Sequence, residues 1–315
     1  MCIRDRAGAL CAQILREHDI SVFVLDKGRR PGGRLSTREY ETAHFDHGAQ
    51  YMTVRDKAMR ARLASWVGAG VVAPWEGAET DLETGRKARD RRDPRWVGVP
   101  TMSALVAHLL TNVPCQFATR ATQVRDANGV FEVAVEAGET LRFDRVVVAV
   151  PAPQAASLLG HRGVLAQAAA SVRYAPCWAA MAEFDSFFDR PWVSAKVRDE
   201  RITWISRNQT KPGRPSRESW VVHATPEWSR AHLEEDREIA ARTLTTAALN
   251  LAGWKQRPAQ IRAHRWRYAL VEQAVGQSCL FEAGMGLCGD GLLGGRIESA
   301  LISGAAMADR ILESL

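Results

Sequence analysis

The most constraining feature lies early in the chain, where the apolar run Ile20-Ser21-Val22-Phe23-Val24-Leu25 ends on Asp26 and passes into Lys27-Gly28-Arg29-Arg30-Pro31-Gly32-Gly33-Arg34. A short β-rich run of this kind reads as a buried strand, and an acid at its C-terminal end can accept both hydroxyls of an adenosine ribose. A carboxylate there repels a 2′-phosphate, which favours the unphosphorylated ribose of FAD or NAD. Two adjacent glycines and an arginine then let backbone N–H groups and a planar guanidinium converge on a pyrophosphate. Asp26, Lys27, Gly32, Gly33 and Arg34 are therefore cofactor-binding candidates; a plain strand-end acid followed by a generic turn is the competing reading.

Upstream, Leu10, Cys11, Ile14 and Leu15 recur at helical spacing over residues 7–17 before His18-Asp19 interrupts them. Helix, turn, strand and terminal acid make up most of a βαβ unit whose first strand is absent. Gly8 falls where the third glycine of a GxGxxG fingerprint belongs, while the first two positions hold Ile3 and Asp5. A packing glycine is the alternative for Gly8.

A chain of 315 residues, 46% hydrophobic and 25% charged, suits a soluble globular protein of two domains. The net charge of +6 comes without a basic block, and the densest basic stretch, 86–95, is broken by Asp90 and Asp93 and reads as a solvated loop. Nucleic acid is not an expected partner. The six cysteines show no CxxC spacing, which implies buried thiols in a reducing compartment and neither metal nor disulfide framework. With no apolar run of about 18 residues and no export signal, no membrane partner is expected and the implied address is cytoplasmic.

Periodicity predicts helices over 58–67 and 101–110, the second starting at Thr101 or Pro100, with a turn-rich surface crossing over 74–100 between them. Strands follow over 121–143, turned at Asn128-Gly129, and then the buried run Val146-Val147-Val148 stopped by Pro151. The 160–277 segment is tryptophan-rich and alternating, as expected of a sheet with one packed face and one face lining a cavity, and a helix over 229–251, its start marked by Ser229, divides its strands. His264, Trp266 and Tyr268 alternate onto one strand face, opposite Arg265 and Arg267. This aromatic face either sandwiches a flat ring or packs as an ordinary sheet face.

Residues 26–38 resemble the DKGxxPGGRxxTR signature of FAD-dependent amine-oxidase-like flavoproteins, and Phe45-Asp46-His47-Gly48-Ala49-Gln50-Tyr51 narrows the likeness to their renalase-like branch. Colinear matches continue through Trp204-Ile205 to Asn208, Lys211-Pro212-Gly213-Arg214, Trp220-Val221-Val222-His223-Ala224, Pro226-Glu227-Trp228-Ser229 and His264-Arg265-Trp266-Arg267-Tyr268-Ala269. Near the C-terminus, Gly286-Leu287-Cys288-Gly289-Asp290-Gly291 looks like the family's second flavin motif, followed by Gly294-Gly295-Arg296-Ile297 at the start of the last helix. The likeness covers all but the first six residues.

The resemblance implies an α/β fold: an FAD-binding Rossmann-like domain of the glutathione-reductase type plus a mixed-sheet substrate domain with helices. Residues 1–55, 100–155 and 277–315 would form the discontinuous FAD domain, and 56–99 and 156–276 the substrate domain. FAD would meet Gly8, Asp26, Lys27, Gly32, Gly33, Arg34, the Val124 backbone, Gly289, Asp290 and Ile297. The flavin itself carries such chemistry, so no catalytic side chain is assigned. Substrate-site candidates are His47, Gln50, Lys211, His264, Trp266 and Tyr268. His47 has a structural hydrogen-bonding role as its alternative, and the Lys211–Arg214 loop is either a cationic neighbour of an anionic substrate or a solvated turn.

The activity implied is oxidation of 2- or 6-dihydro isomers of NAD(P), with hydride passing to flavin N5 and then to dioxygen, giving NAD(P)+ and hydrogen peroxide. One alternative is a flavin amine oxidase, for which Lys196 is the available central lysine. The other is a fold-retaining protein defective in FAD binding, motivated by Ile3 and Asp5.

Overall fold

The computed structural model describes residues 5–84, 93–160 and 163–315. Ile3 lies outside them, as do residues 86–92 of the basic stretch; Asp5 is the first residue of the opening helix, Asp5–Glu17.

That helix buries Leu10, Cys11, Ile14 and Leu15 in one core with Leu301, Met307 and Ile311 of the last helix, Ile297–Leu312. Met59, Leu63 and Trp66 of the Lys57–Gly68 helix join the same core. The predicted strand closes on Val24–Leu25, which pairs in parallel with Cys115–Gln116. Val146–Val148, apolar throughout, is fully buried and runs parallel to Met285–Leu287. Near-continuous apolar composition is what a strand covered on both faces requires. The strands Ala121–Ala127, Val130–Val135 and Thr140–Phe143 form the expected antiparallel meander, turned at Asn128 and Gly129.

The second part is a mixed six-stranded sheet in the order Gln260–Gln273, Arg173–Glu183, Ser219–Ala224, Ile202–Arg207, Trp192–Lys196, Ala78–Asp81. All its pairings are antiparallel except the last, which is parallel. Trp178, Trp192 and Trp220 pack on one side with Phe184, Phe188 and Leu244. The architecture is thus a Rossmann-like α/β part joined to a mixed sheet with helices.

Three expectations are corrected. The 74–100 segment does not simply cross the surface: Ala78–Asp81 extends the large sheet, and Arg95 is buried, donating to Ser194 Oγ at 2.7 Å and the Gly77 carbonyl at 2.8 Å. The helix expected over 229–251 is two, Pro226–Ala231 and Arg237–Ala252. Thr225 caps the first and Asp236 the second, while Ser229, read as a cap, instead accepts the Trp178 N–H at 3.1 Å. The 101–110 helix is Ala104–Leu109, with Ser103 at its N-cap position.

Candidate functional site

The two predicted nucleotide motifs meet, although they lie at opposite ends of the chain. The guanidinium of Arg34 holds the carboxylate of Asp290, Nη2 donating to Oδ1 at 2.7 Å and Nη1 lying 2.7 Å from Oδ2 as an ion pair. The hydroxyl of Tyr174 donates to the same carboxylate at 3.2 Å, and the Arg6 guanidinium lies 3.3 Å away. Asp290 is buried at the start of a short helical turn, Asp290–Leu293, and Ile297 opens the last helix beside it.

A cavity of about 380 Å³ is lined by Arg34 and Asp290 and by Gln50, Tyr51, Trp204 and His223, of which Gln50 and His223 lie 3.4 Å apart and Trp204 is paired with His223 across the sheet. A second, of about 260 Å³, shares Arg34 and Trp266 with it and adds Lys27, Gly33, His264 and Tyr268. A third, of about 470 Å³, shares Lys27, Gln154 and Tyr268 with the second and is bordered by Leu25, Ala121 and Thr122. The space therefore follows the predicted cofactor residues from the Asp26 strand to Asp290, as an elongated dinucleotide requires.

The backbone beside it also fits a flavin nucleotide. Gly289 and Gly294 hold φ of 142° and 135°, and a Cβ on either would meet nothing within 4 Å. Glycine is required at both positions by the positive φ, and the space beside them leaves the backbone flanking Asp290 open to approach. Asp26 is buried at its strand end and accepts the Gly28 N–H at 2.7 Å, and Lys27 donates to Gln154 at 3.1 Å. Gly8 is buried in the first turn of the opening helix, and Gly32 and Gly33 turn the chain into Arg34. The Val124 side chain is buried in the meander, which leaves its backbone for the expected contact, and Ala121 and Thr122 of the same strand border the cavity.

The Phe45–Tyr51 loop connects this cradle to the large sheet. Gly48 presses on the Arg34 backbone so closely that an added Cβ would lie 2.1 Å from the Arg34 carbonyl oxygen, and Ala49 N–H donates to that oxygen at 2.9 Å. His47 stacks on Trp266 with centroids 5.1 Å apart and meets His264 edge-on at 4.8 Å. The indole of Trp266 donates to the His47 carbonyl at 2.9 Å. Tyr268 is separate, packing edge-on with Tyr174 at 6.0 Å. Of the alternating face, His264 and Trp266 thus gather at His47, while Arg265 and Arg267 turn away to Glu234.

Burial drives the imidazoles neutral. His47 is pushed down to about 3, with His264 adding to the effect, and His264 to about 4, with Arg38 adding. His223 falls to about 4, through burial and the charge of Lys211 and against a bond to the His47 backbone.

The Lys211–Arg214 loop is corrected most. It is neither a solvated turn nor on the cavity wall: Lys211 and Arg214 are fully buried and share Asp46 Oδ2, at 3.0 and 2.7 Å. Lys211 also donates to Gln50 Oε1 at 3.2 Å and Asn208 Oδ1 at 3.1 Å. Gln50 Oε1 accepts from Ser206 at 2.6 Å as well, which orients the amide so that its nitrogen donates to the Asp46 and Gly48 carbonyls. Lys196 is exposed at the end of the Trp192–Lys196 strand, paired with Glu79. Asp46, Arg95, Asn208, Trp204 and His223 were not singled out by sequence reasoning. The demand of two cations for an acid was the signal that could have located Asp46.

One consequence is directly measurable. Trp266→Phe keeps the stacked ring but strands the His47 carbonyl, an expected loss of about 1–2 kcal/mol, read from the urea midpoint at unchanged slope.

Comparison with known proteins gives a consistent result. The profile described as "Flavin containing amine oxidoreductase" matches residues 53–312, and that of an "NAD(P)-binding Rossmann-like domain" matches residues 6–65. Mouse (Mus musculus) renalase is 25% identical over 327 residues, covering 93% of this chain and 94% of its own. Cyclohexylamine oxidase from Brevibacterium oxydans superposes with a TM-score of 0.77 at 10% identity, covering 99% of this chain and 98% of that one. A putrescine oxidase double mutant gives 0.74 at 13% identity, with 99% and 98% coverage. At such identities these two structures share the fold.

Proposed function

The chain belongs to the flavin containing amine oxidoreductase family, and from that premise we propose an FAD-dependent oxidase that takes hydride from a carbon bonded to an uncharged nitrogen. The family match favours the amine oxidase reading over oxidation of isomeric dihydronicotinamides. The observation that carries the proposal is the cavity wall at Gln50, Tyr51, Trp204 and His223, aromatic and with a neutral imidazole, while the one carboxylate of the lining, Asp290, is already held by Arg34. An ammonium finds no free carboxylate there, whereas a free amine or a neutral ring needs none.

Bound FAD would supply the hydride acceptor and the route of electrons to dioxygen. The chain's residues do the rest. Asp26 and Lys27 are suited to hold the adenosine end, Gly32, Gly33 and Arg34 the pyrophosphate, and Gly289, Asp290 and Ile297 the ribityl side. The His47–Trp266 stack, tied by its indole hydrogen bond, walls the cavity and limits how a donor can lie. Gln50, its amide fixed by Ser206 and Lys211, gives its wall a single arrangement. No side chain is needed as a proton-abstracting base when the donor enters uncharged.

The dihydronicotinamide reading stands second, supported by the near full-length likeness to mouse renalase. The visible spectrum of the purified protein comes first: flavin absorbance is expected, and its absence would favour a fold-retaining protein defective in cofactor binding. Anaerobic stopped-flow mixing with cyclohexylamine, putrescine and 6-dihydro-NAD then separates the donors. Bleaching by an amine supports the proposal; bleaching by the dihydronicotinamide alone replaces it with the second reading.

A further inference from the structure

Asp46 balances only one of the two cations that share it. Lys211 and Arg214 both contact its Oδ2, and all three side chains are fully buried. The other partners of Lys211 are amide oxygens of Gln50 and Asn208, and those of Arg214 are the Gly98 and Pro212 carbonyls, none of which carries charge. The Lys211 ammonium also lies 5.0 Å from the centre of the Trp75 ring, which favours a cation without neutralising it. Among the described residues, Asp46 is the only carboxylate paired with either cation, so the cluster keeps a surplus positive charge.

This surplus stands one side chain behind the cavity. Gln50 Oε1, which accepts from Lys211 at 3.2 Å, belongs to a residue on the cavity wall. The one carboxylate in the cavity lining, Asp290, is held by Arg34. Around Gln50 the wall carries no other charge: Tyr51 and Trp204 are aromatic, and burial keeps the His223 imidazole neutral.

We infer that the Gln50–Trp204–His223 wall of the cavity is an anion-selective subsite, taking a planar ligand whose carboxylate is held by the surplus charge of the Lys211–Arg214–Asp46 cluster. This rests on the reading of the cavity as the donor site and narrows the donor to a carboxylate-bearing nitrogen compound. A buried charge is little screened by salt, so the selectivity survives moderate ionic strength.

The test uses binding and not turnover, so it is independent of whether any donor reduces the flavin. The purified flavin-loaded protein is titrated calorimetrically at neutral pH with benzoate, benzamide and benzylamine, which differ chiefly in charge. Benzoate is expected to bind about tenfold more tightly than benzamide, with benzylammonium weakest. Lys211→Met leaves a balanced Asp46–Arg214 pair and should abolish the benzoate preference, whereas Lys211→Arg should retain it. Absence of benzoate binding, tighter benzylammonium binding, or an unchanged preference in Lys211→Met would overturn the inference. If Lys211→Met does not fold, the ranking of the three ligands on the unsubstituted protein decides, benzoate first supporting the inference and any other order overturning it.

Discussion

Asp46→Ala is expected to cost about 3–5 kcal/mol of folding stability, because it strands two fully buried cations at once. Thr37 Oγ1 and the Met102 N–H, which donate to Asp46 Oδ1 at 2.6 and 3.2 Å, lose their acceptor too. Lys211→Met removes the surplus charge instead and should cost much less. Urea denaturation of the two variants and their double mutant would isolate the coupling; equal losses for the two single variants would refute the charge argument.

The same cluster sets the response to acid. Burial opposes the ionised form of Asp46, but Lys211 and Arg214 outweigh it and hold the carboxyl well below the usual range. A depressed carboxyl adds stability above its unfolded value, near 4, and loses it as pH falls through the folded one. The neutral histidines act earlier and in the same direction. His47, His223 and His264 are less basic folded than unfolded, so the unfolded chain binds more protons as pH drops below about 6.5, and stability falls toward pH 3–4. Lys211, lowered to about 8 chiefly by burial, penalises folding below that value, and the penalty lifts as pH rises from about 8 toward the unfolded value of 10.5.

Gly48→Ala is the second large effect. The new methyl would lie 2.1 Å from the Arg34 carbonyl oxygen and 2.9 Å from its carbon, and neither backbone atom can move without disturbing the grip on Asp290. Forcing the loop away is expected to cost about 1–3 kcal/mol. The loss should fall mainly on flavin retention, on the order of a tenfold to hundredfold weaker Kd, with the far-UV spectrum preserved. Normal flavin content in the purified variant would show that loop 46–50 does not set the cradle.

Much of this was legible in sequence because it is written locally. A strand ending in an acid, two glycines and an arginine, or an Asn-Gly turn, needs only its neighbours to be read. The Lys211–Arg214 loop misled because adjacent cations look solvated until their acid is found, and Asp46 lies 165 residues away from Lys211. Arg95 misled in the same way, since Ser194, 99 residues on, receives it. Ser229 looked like a helix cap, but its hydroxyl serves a neighbouring strand, and local capping rules cannot see that partner. His223 hid in the apolar run Trp220-Val221-Val222, where periodicity reports burial and not which side chain borders a cavity. Trp266 and His264 were placed on one face by period-two alternation alone, but the third member of their stack, His47, comes from a distant loop.

The clasp between Arg34 and Asp290 spans 256 residues, and this gives the cofactor cradle a history as well as a shape. At roughly 5–20 residues per second of synthesis, the arginine waits on the order of tens of seconds for its acid to leave the ribosome. During that interval the first nucleotide motif has glycines and a guanidinium but no far wall, so the nascent chain can hold a flavin only weakly. With the cofactor held as proposed, its capture is expected to be the last act of assembly, completed only once the closing helix has docked.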